Sequence, residues 1–531
     1  MKITIDKKYH WKHAESPELK YWHIGSEKAV NRFISFCRRN PAASSKELSE
    51  ELYNNAGHYA VIVEQENRLM AAVDKIRSYP IFYVQKGETF AVSNSARALK
   101  NEYNLSEIDE LSLLEFRMAG YVTGRETLFQ HLYQLQAGEF LIRDKAEAKI
   151  ERERYYLFYS EEVRDEKEEV LIEELDEITD KIFYRVIEEA NGAPIWVPLS
   201  GGLDSRLVLC KLKQLGYDNL TAFSYGPPGN YEAKAAQYVA KQIGVPWRFV
   251  PLGMRESRDF FYSDTRKAYW EFSDGLCSIP NMQDIHALAK LGQEKILPSE
   301  TVIINGQSGD FITGGHIPDT FLNHAPDMAL LLDRAFEKHL SQWLNLKTEE
   351  NLKKIENKIL SILKIDNRIL NTQELSSRYE CWEWQERQCK YVVNGQRIYD
   401  FLDIRWCLPL WDEEYLRFWP SIPLSLKYGQ RLYKAYLDHF DFYECFKNVK
   451  PKIWRWPGWT LGVVPVARLI KLLFGKRYSD LFYSYFKYIG HYRQFYAPYN
   501  LKDVIKKTPK IRGPISLNIE TWLEENLLEK Q

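Results

Sequence analysis

The sequence predicts an α/β protein with two domains: an antiparallel, β-rich N-terminal domain and a C-terminal doubly wound parallel sheet with a helical extension. The length of 531 residues exceeds the roughly 250–300 at which a single core stops growing. Short apolar runs separated by turn residues dominate the first third, and strand and helix patterns alternate beyond residue 190. The 45% hydrophobic and 14% aromatic content indicates a folded chain and excludes a disordered one.

In the first domain, short apolar runs predict antiparallel strands joined by short connections. A helix is predicted near residues 111–117. The charge run EEVRDEKEE (161–169) is typical of a solvated segment. We therefore predict a domain over residues 1–157, a linker over 158–170 and a second domain over 171–531. The predicted strands are HYAVIVEQ (58–65), NRLMAAVD (67–74), YPIFYVQ (79–85) and TFAVSN (89–94).

The second domain begins with a predicted helix, because apolar residues recur at spacings of three and four over 171–186 and Asn191-Gly192 supplies a stop. Strand-like and helical segments then alternate, which predicts a parallel sheet covered by helices on both faces. The region 318–500 has mostly helical patterns. The strands are IWVPL (195–199), LTAFSYG (220–226), WRFVPLG (247–253) and the start of TVIINGQSGD (301–310), and the first two helices span 206–216 and 231–244.

The charge and the cysteine content exclude several classes of protein for this chain. The 72 Lys and Arg against 73 Asp and Glu give a net charge of −1, which excludes a polybasic nucleic-acid coat, so no nucleic-acid partner is expected. Seven cysteines in a chain of this length, none of them in a CxxC pair, indicate no disulfide framework. The N-terminal segment shows no apolar core of a signal peptide, and we expect a cytoplasmic location.

A glycine-rich turn lies between a predicted strand and a predicted helix, in the segment Ser200-Gly201-Gly202-Leu203-Asp204-Ser205. Its glycines allow a tight turn that brings N–H groups close to an anion, Ser200 and Ser205 add hydroxyl donors, and the positive end of the helix dipole points at the same place. The carboxyl end of a parallel strand is where such sheets bind ligands. The segment predicts a phosphate-binding loop, with an ordinary glycine-rich turn as the alternative.

A second polar turn, Asn305-Gly306-Gln307-Ser308-Gly309-Asp310, follows another predicted strand. Asp204 and Asp310 would then stand at the ends of two strands of one sheet. Such a pair could share one Mg²⁺ that also holds phosphate oxygens, although either aspartate alone could be a helix cap or a turn residue. The two turns together indicate nucleotide chemistry.

These motifs resemble those of the asparagine synthetase family, a branch of the ATP pyrophosphatases. VPLSGGLDSR (197–206) is similar to the pyrophosphate-binding loop of that family and INGQSGDFITGGH (304–316) to its second, metal-carrying loop. Further segments resemble, in order, its N-terminal Ntn-type glutamine amidotransferase-like domain and its C-terminal stretch. They are AVDKIRSYPIFYV (72–84), FAVSNSARAL (90–99), MAGYVTGRETLFQHLYQLQAGEFL (118–141), RYYLF (154–158) and DIRWCLPLWDEEYLRFWPSIPLSLKYGQRLYKAYL (403–437).

The resemblance implies an AMP-forming ligase that adenylates a carboxylate with ATP and then transfers ammonia or an amine to it. Asp204 and Asp310 would bind Mg²⁺. The family also has a lysine that stabilises the leaving pyrophosphate, which Lys452 would supply, with Lys450 as the alternative. The resemblance assigns Ser200, Gly201, Gly202 and Ser205 to pyrophosphate and Leu199, Ser224 and Gly306 to the nucleotide pocket.

Two departures from the family pattern concern the nitrogen source and the acceptor. The glutaminase of the family uses a cysteine directly after the initiator methionine, where this sequence has Lys2. Cys37 lies among helical residues and is predicted to be a buried structural thiol. We therefore expect a degenerate amidotransferase domain, with free ammonia, an amine or a separate glutaminase as the donor.

The second departure is Gln307, which stands three residues before Asp310, where asparagine synthetases place an acid. A glutamine amide has no basic site, so aspartate as the substrate is in doubt. Phe311 also replaces a common acid. Glutamates within RYECWEWQERQCK (378–390) could supply a base, or could form an exposed acidic face paired with Arg378, Arg387 and Lys390. They are Glu380, Glu383 and Glu386.

Three further questions stay open from the sequence. The segment 452–477 combines tryptophans, cations and an apolar face, and could rest on a membrane interface or pack on the helical region. The reaction could be intermolecular, on a sugar acid, aspartate or a peptide, or could close an internal amide, as in the β-lactam synthetase and lasso-cyclase branches. A nucleotide-binding pseudoenzyme is the remaining alternative.

Overall fold

The computed structural model describes residues 1–145, 149–363, 371–447, 462–491 and 497–528. Fifteen strands lie in these ranges. They are β1 Lys2–Thr4, β2 Lys12–Glu15, β3 Leu19–Gly25, β4 Tyr59–Gln65, β5 Arg68–Val73, β6 Phe82–Lys86, β7 Thr89–Ser93, β8 Leu132–Gln134, β9 Glu139–Asp144, β10 Ile150–Arg154, β11 Ile195–Pro198, β12 Leu220–Gly226, β13 Trp247–Pro251, β14 Val302–Ile304 and β15 Arg405–Cys407.

The α-helices of the same ranges are mostly in the second domain. They are α1 Glu27–Arg39, α2 Ser45–Tyr53, α3 Ala96–Glu102, α4 Glu110–Ala119, α5 Glu168–Ala190, α6 Leu203–Gln214, α7 Tyr231–Ile243, α8 Met254–Phe261, α9 Asp264–Ser273, α10 Ile285–Gln293, α11 Gly309–Ile312, α12 Thr320–Asn323, α13 Met328–His339, α14 Glu349–Leu363, α15 Thr372–Glu383, α16 Arg397–Phe401, α17 Glu413–Phe418, α18 Leu424–Lys427, α19 Arg431–Phe440, α20 Val463–Phe474, α21 Lys476–His491, α22 Leu501–Lys507 and α23 Pro514–Leu523.

The N-terminal domain packs two sheets against each other. One has the order β10-β9-β5-β4-β3-β2 and is antiparallel throughout, and the other has the order β1-β7-β6-β8. Ile62 and Ala71 of the first sheet meet Val92 of the second in one buried cluster. The four predicted strands form β4 to β7, which confirms the β-rich first domain.

Two features of this domain were not predicted. The edge strand β1 runs parallel to β7, with Ile3 opposite Val92, so the smaller sheet is not purely antiparallel. Several strands also escaped the sequence pattern because they are short or polar edge strands, such as β2 with the sequence KHAE and β10 with IERER. Such strands carry little of the apolar alternation by which strands are recognised.

The second domain contains one parallel sheet in the order β13-β12-β11-β14-β15. Successive side chains of a strand point to opposite faces. Ile195 and Val197 of β11 lie in one buried cluster, while Trp196 between them lies in another. Both faces are therefore covered, as the predicted doubly wound fold requires.

The strand order places a topological switch point between β11 and β14. From β11 the chain moves outward through β12 to β13, then returns to the other side of β11 to form β14 and β15. Ligands of such sheets bind in the crevice at the carboxyl ends of the strands that flank the switch point. The sequence did not predict β15, a three-residue strand about a hundred residues beyond β14.

The connection between the domains is partly helical. Helix α5 begins at Glu168, inside the predicted linker, and ends at Ala190; the next residue, Asn191, takes the left-handed conformation expected of a helix stop. Phe158 packs on Phe311 with ring centroids 5.4 Å apart, so the end of the first domain contacts the region of the second glycine-rich turn. None of the helices in the described ranges has the length and apolar character needed to cross a membrane.

Candidate active site

The two predicted turns meet at the switch point of the parallel sheet. Residues 199–202 connect β11 to α6, and residues 305–308 connect β14 to α11. Because β11 and β14 are neighbouring parallel strands, their carboxyl ends lie side by side and the two turns face the same crevice.

The first turn is held in shape by its own hydroxyl groups. The backbone N–H of Ser200 donates to the Ser205 hydroxyl over 3.1 Å, and the N–H of Gly202 donates to the Ser200 hydroxyl over 3.1 Å. Gly202 is the N-cap of α6, and no side chain caps this helix. The first turn of α6 thus presents backbone N–H groups and a positive dipole end to the crevice, an arrangement suited to an anion.

Arg206 supports the turn from behind. Its guanidinium donates to the carbonyl oxygens of Gly202, over 2.9 Å, and Gly201, over 3.0 Å, and to the carbonyl of Cys445 over 2.8 Å. With these carbonyls occupied, the turn is fixed relative to the later part of the domain. Arg206 closes the motif VPLSGGLDSR, but the sequence alone assigned no role to its side chain.

Glycines allow the two turns to touch. A Cβ atom at Gly306 would lie 2.9 Å from the Asp204 carbonyl carbon and from the Ser205 nitrogen, and one at Gly309 would collide with the Asp204 carboxylate. Gly306, predicted as a nucleotide-pocket residue, therefore lies against the backbone of the first turn. Ser308, between the two glycines, has a φ of 69°, a strained conformation of the kind that concentrates at functional sites.

Asp204 and Asp310 are brought together by this contact. The backbone N–H of Asp310 donates to the Asp204 carboxylate over 3.0 Å, and the Tyr433 hydroxyl donates to its other oxygen over 3.1 Å. Burial and the negative charge of Asp310 raise the pKa of Asp204 to about 7. The structure thus juxtaposes the two carboxylates that the sequence singled out.

The chemistry of this pair fits a magnesium ion. Carboxylate oxygens are its preferred protein ligands, and it takes one or two of them together with phosphate oxygens and water. Within the described part of the chain no group of three or more His, Cys, Asp and Glu residues could form an all-protein cage. Asp204 and Asp310 would hold the ion, which would also offset the repulsion between the two carboxylates.

His316 connects Asp310 to a buried glutamate. Its Nε2 lies 3.2 Å from the Asp310 carboxylate and its Nδ1 lies 2.5 Å from the carboxylate of Glu383. Despite burial, these two hydrogen bonds raise the pKa of His316 to about 9, so both ring nitrogens donate at neutral pH. Burial opposes ionisation of Asp310, but the hydrogen bond from His316 outweighs it and lowers the pKa of that carboxyl.

Glu383 is the centre of a cationic cluster and is fully buried. Lys338 donates to it over 3.0 Å, and His339 lies 3.5 Å and Arg387 3.8 Å away. Although burial alone would raise it, His339 and the hydrogen bond from His316 hold the pKa of Glu383 well below its ordinary range. Glu383 is therefore an ionised structural anchor of the site and is not poised as a base.

The predicted exposed acidic face at Glu380, Glu383 and Glu386 is wrong. All three carboxylates are buried. Two of the predicted pairings are present, Glu383 with Arg387 and Glu386 with Lys390. The third is not: Glu380 pairs with Lys427 over 3.1 Å, and Arg378 lies 3.7 Å from Glu374. The regular α-helix ends at Glu383 and a π-helical segment, Trp384–Val392, follows, so a spacing of three no longer defines one face.

Gln307 has an amide partner. Its side-chain oxygen accepts a hydrogen bond from Gln396 over 2.6 Å, and the neighbouring Ser308 hydroxyl donates to Gln388 over 2.9 Å. At the position where asparagine synthetases place an acid, this chain thus has a glutamine that belongs to a neutral amide network. Phe311, the second departure, is buried and packs on Trp411 with ring centroids 5.9 Å apart.

The predicted nucleotide-pocket residues on the other side of β11 are in contact with each other. The Ser224 hydroxyl donates to the carbonyl of Leu199 over 2.6 Å and accepts the indole N–H of Trp247 over 3.1 Å. These bonds link the residue after β11 to the middle of β12 and to the start of β13. Lys452 and its alternative Lys450 lie outside the described residues, so their assignment stays a prediction.

Sequence reasoning missed Arg206, Tyr433 and His316. Arg206 and His316 are the last residues of the two motifs, and Tyr433 lies in the segment GQRLYKAYL. Each was therefore inside a recognised segment. Their roles depend on which distant group the side chain reaches, such as the 229 residues between Asp204 and Tyr433, and motif spacing carries no information about that.

Each of the two domains contains a region that matches a known protein family. Residues 190–439 match the family described as Asparagine synthase, and residues 46–156 match the family described as Glutamine amidotransferase domain. The first range contains both turns, both aspartates, His316, Glu383 and Tyr433.

Individual relatives cover smaller parts of the chain. A 7-cyano-7-deazaguanine synthase from Polynucleobacter asymbioticus is 46% identical over 64 residues, which is 12% of this chain and 26% of the relative. The chain thus matches about a quarter of that relative's length. Among solved structures, a glutamine phosphoribosylpyrophosphate amidotransferase from B. subtilis is 11% identical over 46% of this chain and 73% of its own, with a TM-score of 0.16. A structure titled as the allosteric regulatory enzyme of purine biosynthesis is 9% identical, covering 45% and 62%, with a TM-score of 0.18.

Proposed function

Because its two domain matches make this chain an asparagine-synthetase-family protein with an N-terminal amidotransferase-like domain, we propose that it is an AMP-forming ligase that joins a carboxylate to ammonia or an amine. The observation that carries the proposal is the glycine contact that sets Asp204 and Asp310 together beside the uncapped N-terminus of α6. A polyanion and a divalent cation are the ligands that this arrangement suits.

In the first step, an oxygen of the substrate carboxylate attacks the α-phosphorus of ATP. The bond between the α-phosphorus and the bridging oxygen breaks, and pyrophosphate leaves. The Ser200 and Ser205 hydroxyls and the N–H groups at the start of α6 bind the leaving pyrophosphate, and Arg206 keeps the turn in position. Magnesium, held by Asp204 and Asp310, would neutralise phosphate charge.

In the second step, the nitrogen lone pair attacks the acyl carbon of the adenylate, the bond to AMP breaks, and the nitrogen loses a proton. Gln307 and its partner Gln396 cannot take that proton, because an amide has no basic site. We propose that the leaving AMP or water accepts it, and that the neutral amide network contacts the acceptor. A neutral network suits a hydroxyl-rich acid, such as a sugar acid, better than the ammonium group of aspartate.

We propose that the nitrogen comes from free ammonia, an amine or a separate glutaminase. Cys37 is the sole cysteine among residues 1–157, and it is fully buried in α1. Burial raises its pKa to about 12, so the thiolate needed for glutamine attack is not formed at neutral pH.

The proposal is tested by a substrate screen with ATP–pyrophosphate exchange. Uronic acids, aspartate and peptide acids are supplied in parallel, first with ammonium and then with glutamine. Exchange that depends on one class of acid, with AMP as the nucleotide product, would support the proposal. ADP as the product, or exchange without any acid, would contradict it.

Ring closure of an internal amide and a nucleotide-binding pseudoenzyme are the competing functions. Labelled ammonium separates the first, because its nitrogen enters the product only in the intermolecular reaction. Nucleotide binding without exchange under any acid would favour the second. The contact between the two loops, with both aspartates in place, supports turnover over binding alone.

A further inference from the structure

Helix α20, Val463–Phe474, exposes an apolar face that the proposed ligase reaction does not use. Of its residues only Val463 and Ala467 are buried. Leu472 is 82% exposed, Leu473 62% and Phe474 64%. Large apolar side chains so exposed and so close together mark a surface that meets an apolar phase or a partner.

The exposed residues follow the helical period. Val466, Leu469 and Leu473 are three and four residues apart and share one face, which Leu472 widens. Arg468 lies on the flank of that face beside Leu472, and Lys471, three residues further on, lies on the side away from it. An apolar stripe with cations beside and opposite it is the pattern of a helix that lies in the plane of a bilayer interface.

The exposed apolar surface continues past the end of α20. Gly475, with a φ of 89°, turns the chain from α20 into α21, which packs against α20. The Phe474 ring lies 6.2 Å from the ring of Tyr478, and Tyr478 is 57% exposed. Aromatic rings with a polar group are favoured at the level of lipid headgroups.

The positive charge of this region indicates the kind of surface to which it could bind. Residues 463–491 contain five cations, Arg468, Lys471, Lys476, Arg477 and Lys487, against one acid, Asp480, although the whole chain has a net charge of −1. A local charge of +4 beside exposed leucines complements an anionic phospholipid surface, which attracts nearby cations. A protein partner would need a large acidic and apolar surface of its own to match both features.

We propose that the α20–α21 hairpin docks this protein peripherally on anionic phospholipid membranes. The leucines and Phe474 enter the interface, and the cations contact phosphate groups. Within the described part of the chain no helix is suited to span the bilayer, so the attachment is reversible. Docking would bring the ligase to acceptors that are held at the membrane surface.

The test is cosedimentation of the full chain with vesicles of phosphatidylcholine, with and without phosphatidylglycerol. We expect binding to the anionic vesicles, weakened by salt, and little binding to phosphatidylcholine alone. The double variant Leu472→Glu/Leu473→Glu should lower the vesicle affinity by about tenfold or more, because two apolar insertions are lost. The matched control is Leu322→Glu, an exposed leucine outside the hairpin, which should bind as the wild type does.

A second pair of variants examines the charges. Arg468→Gln and Lys471→Gln should each lower affinity for the anionic vesicles by about fivefold and leave the melting temperature unchanged. Wild-type protein that stays in the supernatant with anionic vesicles would overturn the proposal, as would full binding by the double variant. A dimer that dissociates in the double variant, without vesicle binding by the wild type, would assign the face to a second copy instead.

Discussion

The two domains hold their most reactive side chains in opposite environments. In the first, Cys37 is fully buried and burial raises its pKa to about 12. In the second, Asp310 is 58% exposed at the switch point, and burial together with the charge of Asp310 raises the pKa of the neighbouring Asp204 to about 7. Both domains keep their sheets and buried cores. Under the proposed function, the first domain keeps its fold as a scaffold, while the second domain holds the site arranged for chemistry.

The largest expected effect comes from separating the two turns of the second domain. Gly309→Ala places a methyl group on the Asp204 carboxylate, so the turns must move apart. We expect pyrophosphate exchange to fall by about 100-fold, because a shift of about 1 Å in a site has effects of that size. The control is Gly292→Ala in α10, where a Cβ meets nothing within 4 Å. Near-normal exchange by Gly309→Ala would contradict the claim that close contact between the two turns is needed for the reaction.

Glu383→Gln tests the buried anchor behind Asp310. Loss of this charge leaves His316, Lys338 and Arg387 without their shared anion, and the free energy of unfolding should fall by about 3–5 kcal/mol. Urea denaturation measures it. The matched control is Glu350→Gln, an exposed partner of Lys354, which should change stability by no more than about 0.5 kcal/mol. Equal small effects would mean that the cluster is not an anchor.

A smaller effect is expected from Tyr433→Phe, which removes one hydrogen bond to Asp204. A hydrogen bond to a carboxylate contributes about 1.5–3 kcal/mol. We therefore expect exchange to fall by about tenfold or somewhat more, with little change in the circular dichroism spectrum. Tyr238→Phe, at an exposed tyrosine of α7, serves as the control. An unchanged rate would remove Tyr433 from the site.

The smallest effect is expected from a substitution in the first domain, at Cys37. Cys37→Ala should lower stability by about 1 kcal/mol, as a small core truncation does, and should leave product formation unchanged with ammonium and with glutamine. The product yield with each nitrogen source is the measurement. A selective loss of glutamine-dependent product would show that the first domain is not a scaffold alone.

The sequence was most informative where chemistry depends on neighbouring residues. Strands β11 to β14 and the two turns were predicted because apolar runs and glycines are local signals. Asp204 and Asp310 followed from the ends of those strands. Strand β15 was not predicted, because a three-residue strand has no period of its own and forms only by pairing with β14.

The residues around the aspartates were harder to predict. Glu383 was expected either to supply a base or to lie on an exposed acidic face, but it is buried, and α13 brings Lys338 and His339 against it. His316 reaches it from the second turn. Nothing in the spacing of charged residues distinguishes an exposed acidic face from a buried network whose cations come from other helices.

The most direct test of the central claim compares two aspartates nine residues apart. Asp310→Ala removes a carboxylate of the proposed site, whereas Asp319→Ala removes an exposed one whose side chain caps no helix. With the acid identified by the screen, we predict that pyrophosphate exchange falls by about 10²–10³-fold in Asp310→Ala and stays at the wild-type rate in Asp319→Ala. Wild-type exchange by both variants would contradict the assignment of this site as the centre of a ligase.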